Sequence, residues 1–338
     1  MTAGARAALP VKISATGGYI PSLKVDSTEL DGRFGFQAGF VERATGIRTR
    51  YYGNETETAP YMGARAVADA LRRGDISMKE IDALISVAGT QAQLVPCTAS
   101  LILEELGELD SGIAAFDINA TCLGFIVGFD VAAHLIAAGR YRRVLLVAAE
   151  TCSVMLSPTE WESASIVGDG AAAVVLDRAE GGEASCVGWS MMATYPRGAR
   201  LCETRALGTT LHPNSPRKPT PEDYHFHMDG LSLVRLTSDL ATGFRDRFMS
   251  EAGQSLSDFD LIVPHQASGP AVRLMMKRLE CPKQKVFLYL RDFGNVASAS
   301  IPFGIHLALE GSRLKRGDLV LLVGTGAGVS LGALSLVY

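Results

Sequence analysis

Two apolar runs in the first half of this chain return in the second half at nearly the same spacing. Ile81-Asp82-Ala83-Leu84-Ile85 is echoed by Phe259-Asp260-Leu261-Ile262-Val263, which places Asp82 and Asp260 178 residues apart. Arg143-Val144-Leu145-Leu146-Val147 is echoed by Leu319-Val320-Leu321-Leu322-Val323, with Val147 and Val323 176 residues apart. Strand-like apolar runs resemble one another for trivial reasons. A near-constant offset over two separate pairs nevertheless favours duplication, and a repeat of this period sets the architecture.

Between the repeated runs, β-branched stretches alternate with amphipathic ones, the pattern of an α/β protein. Strands are expected at Ala83–Ala88, Ile113–Ile118, Arg143–Ala148, Ala171–Asp177, Leu261–Val263, Lys285–Tyr289, Leu319–Val323 and Ala333–Val337. Helices are expected at Pro60–Arg73, Thr98–Leu106, Leu123–Ala138, Leu231–Gly253, Pro270–Leu279 and Ile301–Glu310, with Pro60 suited to an opening turn. The stretch from Leu211 to Pro221 reads as loop. The duplication divides the chain into residues 1–181 and 182–338.

Three segments carry polar residues where strands end. Phe116-Asp117-Ile118-Asn119-Ala120-Thr121-Cys122 runs from a strand into a nearly all-apolar helix, which implies a buried helix with Cys122 at its mouth. Unpaired N–H groups there favour a thiolate and suit an oxyanion. Taken alone, a cysteine at such a junction is more often a packing residue. In Ile262-Val263-Pro264-His265-Gln266-Ala267-Ser268, His265 follows a buried strand, where open α/β sheets place their ligand sites; a loop histidine bonded to backbone is the plain alternative. Gly294-Asn295 reads as a tight turn. Leu322-Val323-Gly324-Thr325-Gly326-Ala327-Gly328 lacks a full phosphate-loop pattern and fits a backbone turn lining a pocket better.

Together the segments resemble the β-ketoacyl-acyl-carrier-protein synthase III family of the thiolase superfamily. The resemblance extends from Ala15-Thr16-Gly17-Gly18-Tyr19-Ile20-Pro21 through Thr45-Gly46-Ile47-Arg48 and Val167-Gly168-Asp169-Gly170 to the last strand. It implies a thiolase-like fold, two duplicated α/β halves stacked as a five-layered αβαβα sandwich. The nucleophile would lie in the first half and the histidine and asparagine in the second.

The resemblance also implies a catalytic trio of Cys122, His265 and Asn295, with an oxyanion hole from the backbone N–H groups of Cys122 and Ala327. Cys122 would take an acyl group from a coenzyme A or carrier-protein thioester. A malonyl thioester would then lose carbon dioxide and attack it, without cofactor or metal. Phe40, Arg43, Trp161, Leu231 and Ser268 fall at substrate-binding positions, but Phe40, Ala44, Trp161, Leu231 and Pro270 depart from the usual Trp, Arg, Arg, Asn and Arg. Phe40 and Trp161 are expected to sandwich a purine or to receive a different donor.

Val95 stands where many members place a bulky Phe in the neighbouring subunit's acyl pocket, so a longer or branched primer is expected. Arg235, Arg273, Lys277 and Arg278 match carrier-protein docking positions, although a solvated helix face explains them equally well. A homodimer working in fatty-acid or specialised biosynthesis is implied. Alternatives are acyl transfer to an O or N nucleophile with His265 as base, condensation of two acyl thioesters, a catalytically silent partner subunit, and a cysteine hydrolase.

Composition bounds the rest. A net charge of −4 carries no general nucleic-acid footprint. The apolar stretch from Leu123 to Gly139, with Asp130 and His134 inside it, is short of the ~20 residues that cross a bilayer. MTAGARAALP lacks the apolar core of a signal peptide, so a cytoplasmic protein is expected. Cys97, Cys122, Cys152, Cys186, Cys202 and Cys281 show neither zinc-site spacing nor a disulfide framework.

Overall fold

A computed structural model describes residues 8–338; the reading of the N-terminal leader rests largely on residues outside that range. The first half runs β1 (Val11–Tyr19), β2 (Leu23–Asp26), α1 (Ser27–Phe34), α2 (Phe40–Thr45), β3 (Thr49–Tyr52), α3 (Ala59–Gly74), β4 (Ala83–Ser86), α4 (Thr98–Glu105), β5 (Ala114–Asp117), α5 (Gly124–Ala137), β6 (Arg143–Glu150), α6 (Trp161–Ile166) and β7 (Gly170–Arg178). The second runs β8 (Cys186–Thr194), β9 (Cys202–Glu203), β10 (His227–Met228), α7 (Gly230–Ala252), β11 (Leu261–Pro264), α8 (Gly269–Leu279), α9 (Leu290–Phe293), α10 (Ser300–Glu310), β12 (Leu319–Gly326) and β13 (Ser330–Val337).

The two main sheets have corresponding strand orders, β1-β7-β6-β4-β5 and β8-β13-β12-β11. In each, one matching pair is parallel: Ala83 opposes Val144, and Leu261 opposes Val320. The repeated aspartate explains part of the repeated sequence. Asp82 accepts from the Arg143 N–H at 2.9 Å while its own N–H donates to the Arg143 carbonyl. Asp260 does the same with Leu319, again at 2.9 Å through the side chain. Each aspartate therefore locks the start of its parallel pair, satisfying backbone groups that would otherwise be left at the sheet end.

Helices α5 and α10 lie between the sheets, α3 and α4 cover the outer face of the first, and α7 with α8 covers the second. This is the five-layered α/β sandwich. Phe125, Ile126 and Phe129 of α5 are each at most 1 % exposed, so the central helix is apolar where its faces meet the sheets, and its polar residues Asp130 and His134 reach solvent.

Two differences from expectation have physical causes. Lys285–Tyr289 forms only a single bridge, Val286 to Ile262, rather than a strand. The fully buried Gln266 takes over there: its Oε1 accepts from the Tyr289 and Leu290 N–H groups at 3.0 Å each, and its Nε2 donates to the Phe287 carbonyl. In the two main sheets, strands β1 and β8 are additional to those expected. In β1, Gly17 lies directly against α3, and a Cβ there would stand 2.3 Å from the Ala66 carbonyl oxygen. This glycine marks close helix approach rather than a break. Among the described residues no helix is long and apolar enough to cross a membrane.

Candidate active site

Cys122 sits on a sharp elbow between β5 and α5. Thr121 holds φ +52°, a left-handed conformation costly for a β-branched residue. The Asn119 carboxamide oxygen stabilises the elbow by accepting the Thr121 N–H at 2.9 Å. Helix α5 begins at Gly124, two residues beyond the cysteine. The turn is seated against its surroundings by missing side chains: a Cβ on Gly326 would meet Thr121 Oγ1 at 2.7 Å, and one on Gly124 would meet the Val87 carbonyl oxygen at 2.0 Å.

His265 follows β11, its N–H donating to the Val323 carbonyl at 2.8 Å. The neighbouring strand β12 joins it to the elbow. A Cβ on Gly324 would lie 2.8 Å from His265 Cβ and 3.2 Å from Leu123 Cδ2, so the residue after Cys122 and the histidine meet over that glycine. The imidazole is buried, with Nδ1 2.7 Å from Ser300 Oγ. Burial pushes the His265 pKa down to about 4, opposed by the Ala297 backbone, and the ring is neutral near pH 7.

Asn295 is fixed from both sides of its backbone: its N–H donates to the Ile166 carbonyl and its own carbonyl accepts from Gly168, at 2.8 and 2.9 Å. Its carboxamide oxygen accepts the Ala297 N–H at 2.9 Å, which fixes the orientation of the amide. Gly294 carries φ +71° with ψ −166°, a conformation essentially reserved for glycine.

The Cys122 and Asn295 segments are linked through Glu150 at the end of β6. This fully buried carboxylate accepts from the N–H groups of Gly89, Thr90 and Ser298 at 2.7, 2.9 and 3.1 Å and from Thr90 Oγ1 at 2.6 Å. Ser298 lies three residues after Asn295, and Gly89 packs on Thr121 of the elbow. Burial pushes the Cys122 thiol up, reinforced by neighbouring Cys202 and Glu150. Loss of water therefore works against the thiolate expected at the helix mouth. Among the described residues, neither the Cys122 nor the Ala327 N–H donates to a backbone carbonyl.

The other expected residues divide. Phe40 and Trp161 do meet, but their ring centroids are 5.5 Å apart at 60° and Phe36 packs on both. Edge contact leaves no parallel gap for a purine, so the sandwich is replaced by an aromatic cluster whose third member the sequence reading missed. Arg43 is exposed and donates to the Ala38 carbonyl at 3.3 Å. Leu231 is 63 % exposed at the start of α7, while Ser268 caps α8 by accepting the Ala271 N–H. Val95 is 83 % exposed on the loop after β4 and lines nothing deep in its own chain. Arg235, Arg273, Lys277 and Arg278 are all exposed; Arg278 Nε donates to Ser238 Oγ at 2.7 Å, tying α8 to α7.

Cys202, Ser300 and Glu150 were not singled out by sequence reasoning. Cys202 lies on β9, which pairs with β10 so that Cys202 opposes Met228, and only that folding brings it near the thiol. Ser300 stands five residues after Asn295 at the first position of α10, a spacing that could have marked it.

Residues 116–194 match the family described as 3-oxoacyl-[acyl-carrier-protein (ACP)] synthase III, and residues 249–338 match its C-terminal counterpart. A β-ketoacyl-[acyl-carrier-protein] synthase III of Aquifex aeolicus is 31% identical over 330 residues, covering 97% of this chain and 99% of the relative. One from Syntrophomonas wolfei is 30% identical over 97% of both chains. The crystal structure of 3-oxoacyl-[acyl-carrier-protein] synthase III from Aquifex aeolicus superposes with a TM-score of 0.87 at 30% identity, over 97% of this chain and 100% of that one. A histidine-to-alanine variant of OleA from Xanthomonas campestris, at 24% identity, shares the fold with a TM-score of 0.86 over 98% of this chain and 99% of its own.

Proposed function

The chain belongs to the 3-oxoacyl-[acyl-carrier-protein] synthase III family and is an acyltransferase, and from that premise we propose a two-step decarboxylative condensation centred on Cys122. In the first step the Cys122 sulfur attacks the carbonyl of an acyl thioester, such as acyl-coenzyme A. The Cys122 and Ala327 N–H groups hold the oxyanion. The intermediate collapses, the donor thiol leaves with the proton that Cys122 gives up, and the acyl group remains on sulfur.

In the second step a malonyl thioester, on a carrier protein, presents its thioester oxygen to His265 and the Asn295 NH₂. Breaking the bond to the carboxylate releases carbon dioxide, and its electron pair forms an enolate that the two donors stabilise. The enolate carbon attacks the acyl-Cys122 carbonyl, a carbon–carbon bond forms, and the Cys122 sulfur is expelled to regain a proton. The product is a 3-oxoacyl thioester. Ser300 sets the histidine for this task. In this scheme its hydroxyl, 2.7 Å from the ring, donates to His265 Nδ1 and the ring carries its hydrogen on Nε2. A ring with a pKa near 4 is a weak base at neutral pH, which favours this donor role over acyl transfer to an alcohol or amine.

The observation that supports the reading is that the residue after Cys122 and His265 meet over Gly324, while Ser300, five residues after Asn295, lies 2.7 Å from the histidine ring. In this scheme residues 1–181 supply the nucleophile and residues 182–338 supply the donors. A homodimer completes the site: β5 is an edge strand with all four residues half-exposed, and Leu94 and Val95 are 63 % and 83 % exposed beside it. Val95 from a second copy would bound the acyl pocket, and its small side chain admits a primer longer than acetyl. The exposed Arg235, Arg273, Lys277 and Arg278 would meet an acidic carrier protein.

The test is carbon dioxide release from a malonyl thioester, with a ladder of acyl-coenzyme A lengths as primers. Release matched by 3-oxoacyl product is expected, rising for chains longer than acetyl. No release with any primer would overturn the condensation, and strict preference for acetyl would remove the reading of Val95.

A further inference from the structure

Glu150 is a charge-bearing group in the core that the reaction above does not use. It is 0 % exposed, lies beside Cys122 and Cys152, and among the described residues has no Arg, Lys or His bonded to it. Its partners are donors. Oε1 accepts from the N–H groups of Gly89 and Ser298, and Oε2 accepts from the Thr90 N–H and Thr90 Oγ1. A carboxylate surrounded in this way is compensated by hydrogen bonds rather than by a counter-ion, which makes it expensive unless all the donors stay in place. Burial this costly for no chemistry of its own points to a positioning task.

The geometry identifies what is positioned. Ser298 is clamped twice, through its N–H to Glu150 and through its hydroxyl to the Val87 carbonyl at 2.5 Å. Between Ser298 and Asn295 lie only Val296 and Ala297. Ala297 holds φ +44° and donates its N–H to the Asn295 carboxamide oxygen. That strained conformation persists only if the flanking residues are held, and Ser298 is the held neighbour. On the opposite side, the Gly89-Thr90 turn rests on the same two oxygens and packs against Thr121 of the cysteine elbow.

We infer that Glu150 is a positioning residue that fixes the Asn295 donor relative to the Cys122 elbow, by binding the Ser298 amide and the Gly89-Thr90 turn to one carboxylate. The inference rests on the condensation reading, in which Asn295 serves the second step and not the first. Glu150 therefore acts on decarboxylation through Asn295, while loading of Cys122, which uses the Cys122 and Ala327 N–H groups, depends on it less.

The test separates the two steps in Glu150→Gln. A glutamine matches the shape but turns an NH₂ toward one pair of donors, so at least one anchor is lost. Loading is read by intact mass after addition of acyl-coenzyme A, and decarboxylation by carbon dioxide release from the pre-loaded protein with malonyl thioester. Loading within about threefold of wild type is expected, with the maximal decarboxylation rate down about tenfold, the equivalent of one lost hydrogen bond in a closed site, and the apparent KM for the malonyl thioester little changed. Thr90→Val, a milder change that removes one of the donors to Glu150, should show the same direction at smaller size and keeps the test open if Glu150→Gln does not fold. Equal losses in both steps, or a change confined to KM, in a folded variant would overturn the positioning role. Failure of wild type to load at all would instead sink the condensation reading.

Discussion

Gly124 opens α5 immediately beyond the Cys122 elbow, and exchanging it for alanine tests how tightly the elbow is seated. By helix propensity alone, alanine would stabilise the helix by about 1 kcal/mol. The surroundings reverse the sign. A Cβ at position 124 would stand 2.0 Å from the Val87 carbonyl oxygen and 2.9 Å from Ser298 Oγ. Neither can retreat freely, because the Val87 N–H is bonded to Val147 and the Ser298 hydroxyl to that same Val87 carbonyl. Overpacking a closed core costs about 1–3 kcal/mol, and the upper part of that range applies when the obstacle is backbone. The net expectation is a loss of about 2 kcal/mol after the propensity gain is subtracted. Gly243 is the internal control: it is exposed within α7, and a Cβ added there would meet nothing within 4 Å. The same exchange at that position should stabilise by about 0.5–1 kcal/mol. Urea denaturation of both variants beside wild type measures the two signs. A Gly124→Ala variant as stable as Gly243→Ala would refute the close seating of the elbow against the strand end at Val87.

Asn295→Ala should leave acyl loading of Cys122 intact and slow decarboxylation about 100-fold or more, the usual cost of an oxyanion donor; Ser300→Ala should act in the same step by roughly tenfold. For His265, the folded pKa of about 4 lies below the ordinary 6.5, so the unfolded chain binds more protons between those values. The stability it contributes is present above pH 6.5 and is lost as pH falls toward 4, roughly 3 kcal/mol in all. Replacing it in His265→Asn should flatten that part of a plot of denaturation midpoint against pH. A charge reversal of Lys277 and Arg278 to glutamate should weaken use of a carrier-bound malonyl group while sparing a small thioester mimic, with the difference shrinking at high salt. Equal activity on both substrates would remove the docking role.

Much of the architecture was legible because its causes are local. The helices α3, α5, α7, α8 and α10 fall close to their expected bounds, since each combines a periodic or continuous apolar surface with a clear start. The paired aspartates Asp82 and Asp260 repeat because each closes a parallel strand pair. The main-sheet strands missed, β1 and β8, have interiors broken by Gly17, Gly18 and Gly188, and the reason for Gly17 lies in α3, far along the chain. Cys122, His265 and Asn295 stood out because each sets a polar group beside an apolar run or in a tight turn. Glu150 does so too, at the end of β6, but a single acidic residue carries no sign of the donors that separate loops bring to it. The aromatic pair was visible, whereas its edge contact depends on Phe36 and on how α1 and α2 turn over α6, a matter of tertiary packing that no spacing encodes.

Intact-mass measurement of the wild-type protein and of Cys122→Ala, each incubated with an acyl thioester, bears most directly on the assignment of the nucleophile. One added acyl group on wild type, absent from the alanine variant and discharged when malonyl thioester follows, is the predicted result. An adduct of the same mass that persists in the alanine variant would contradict it.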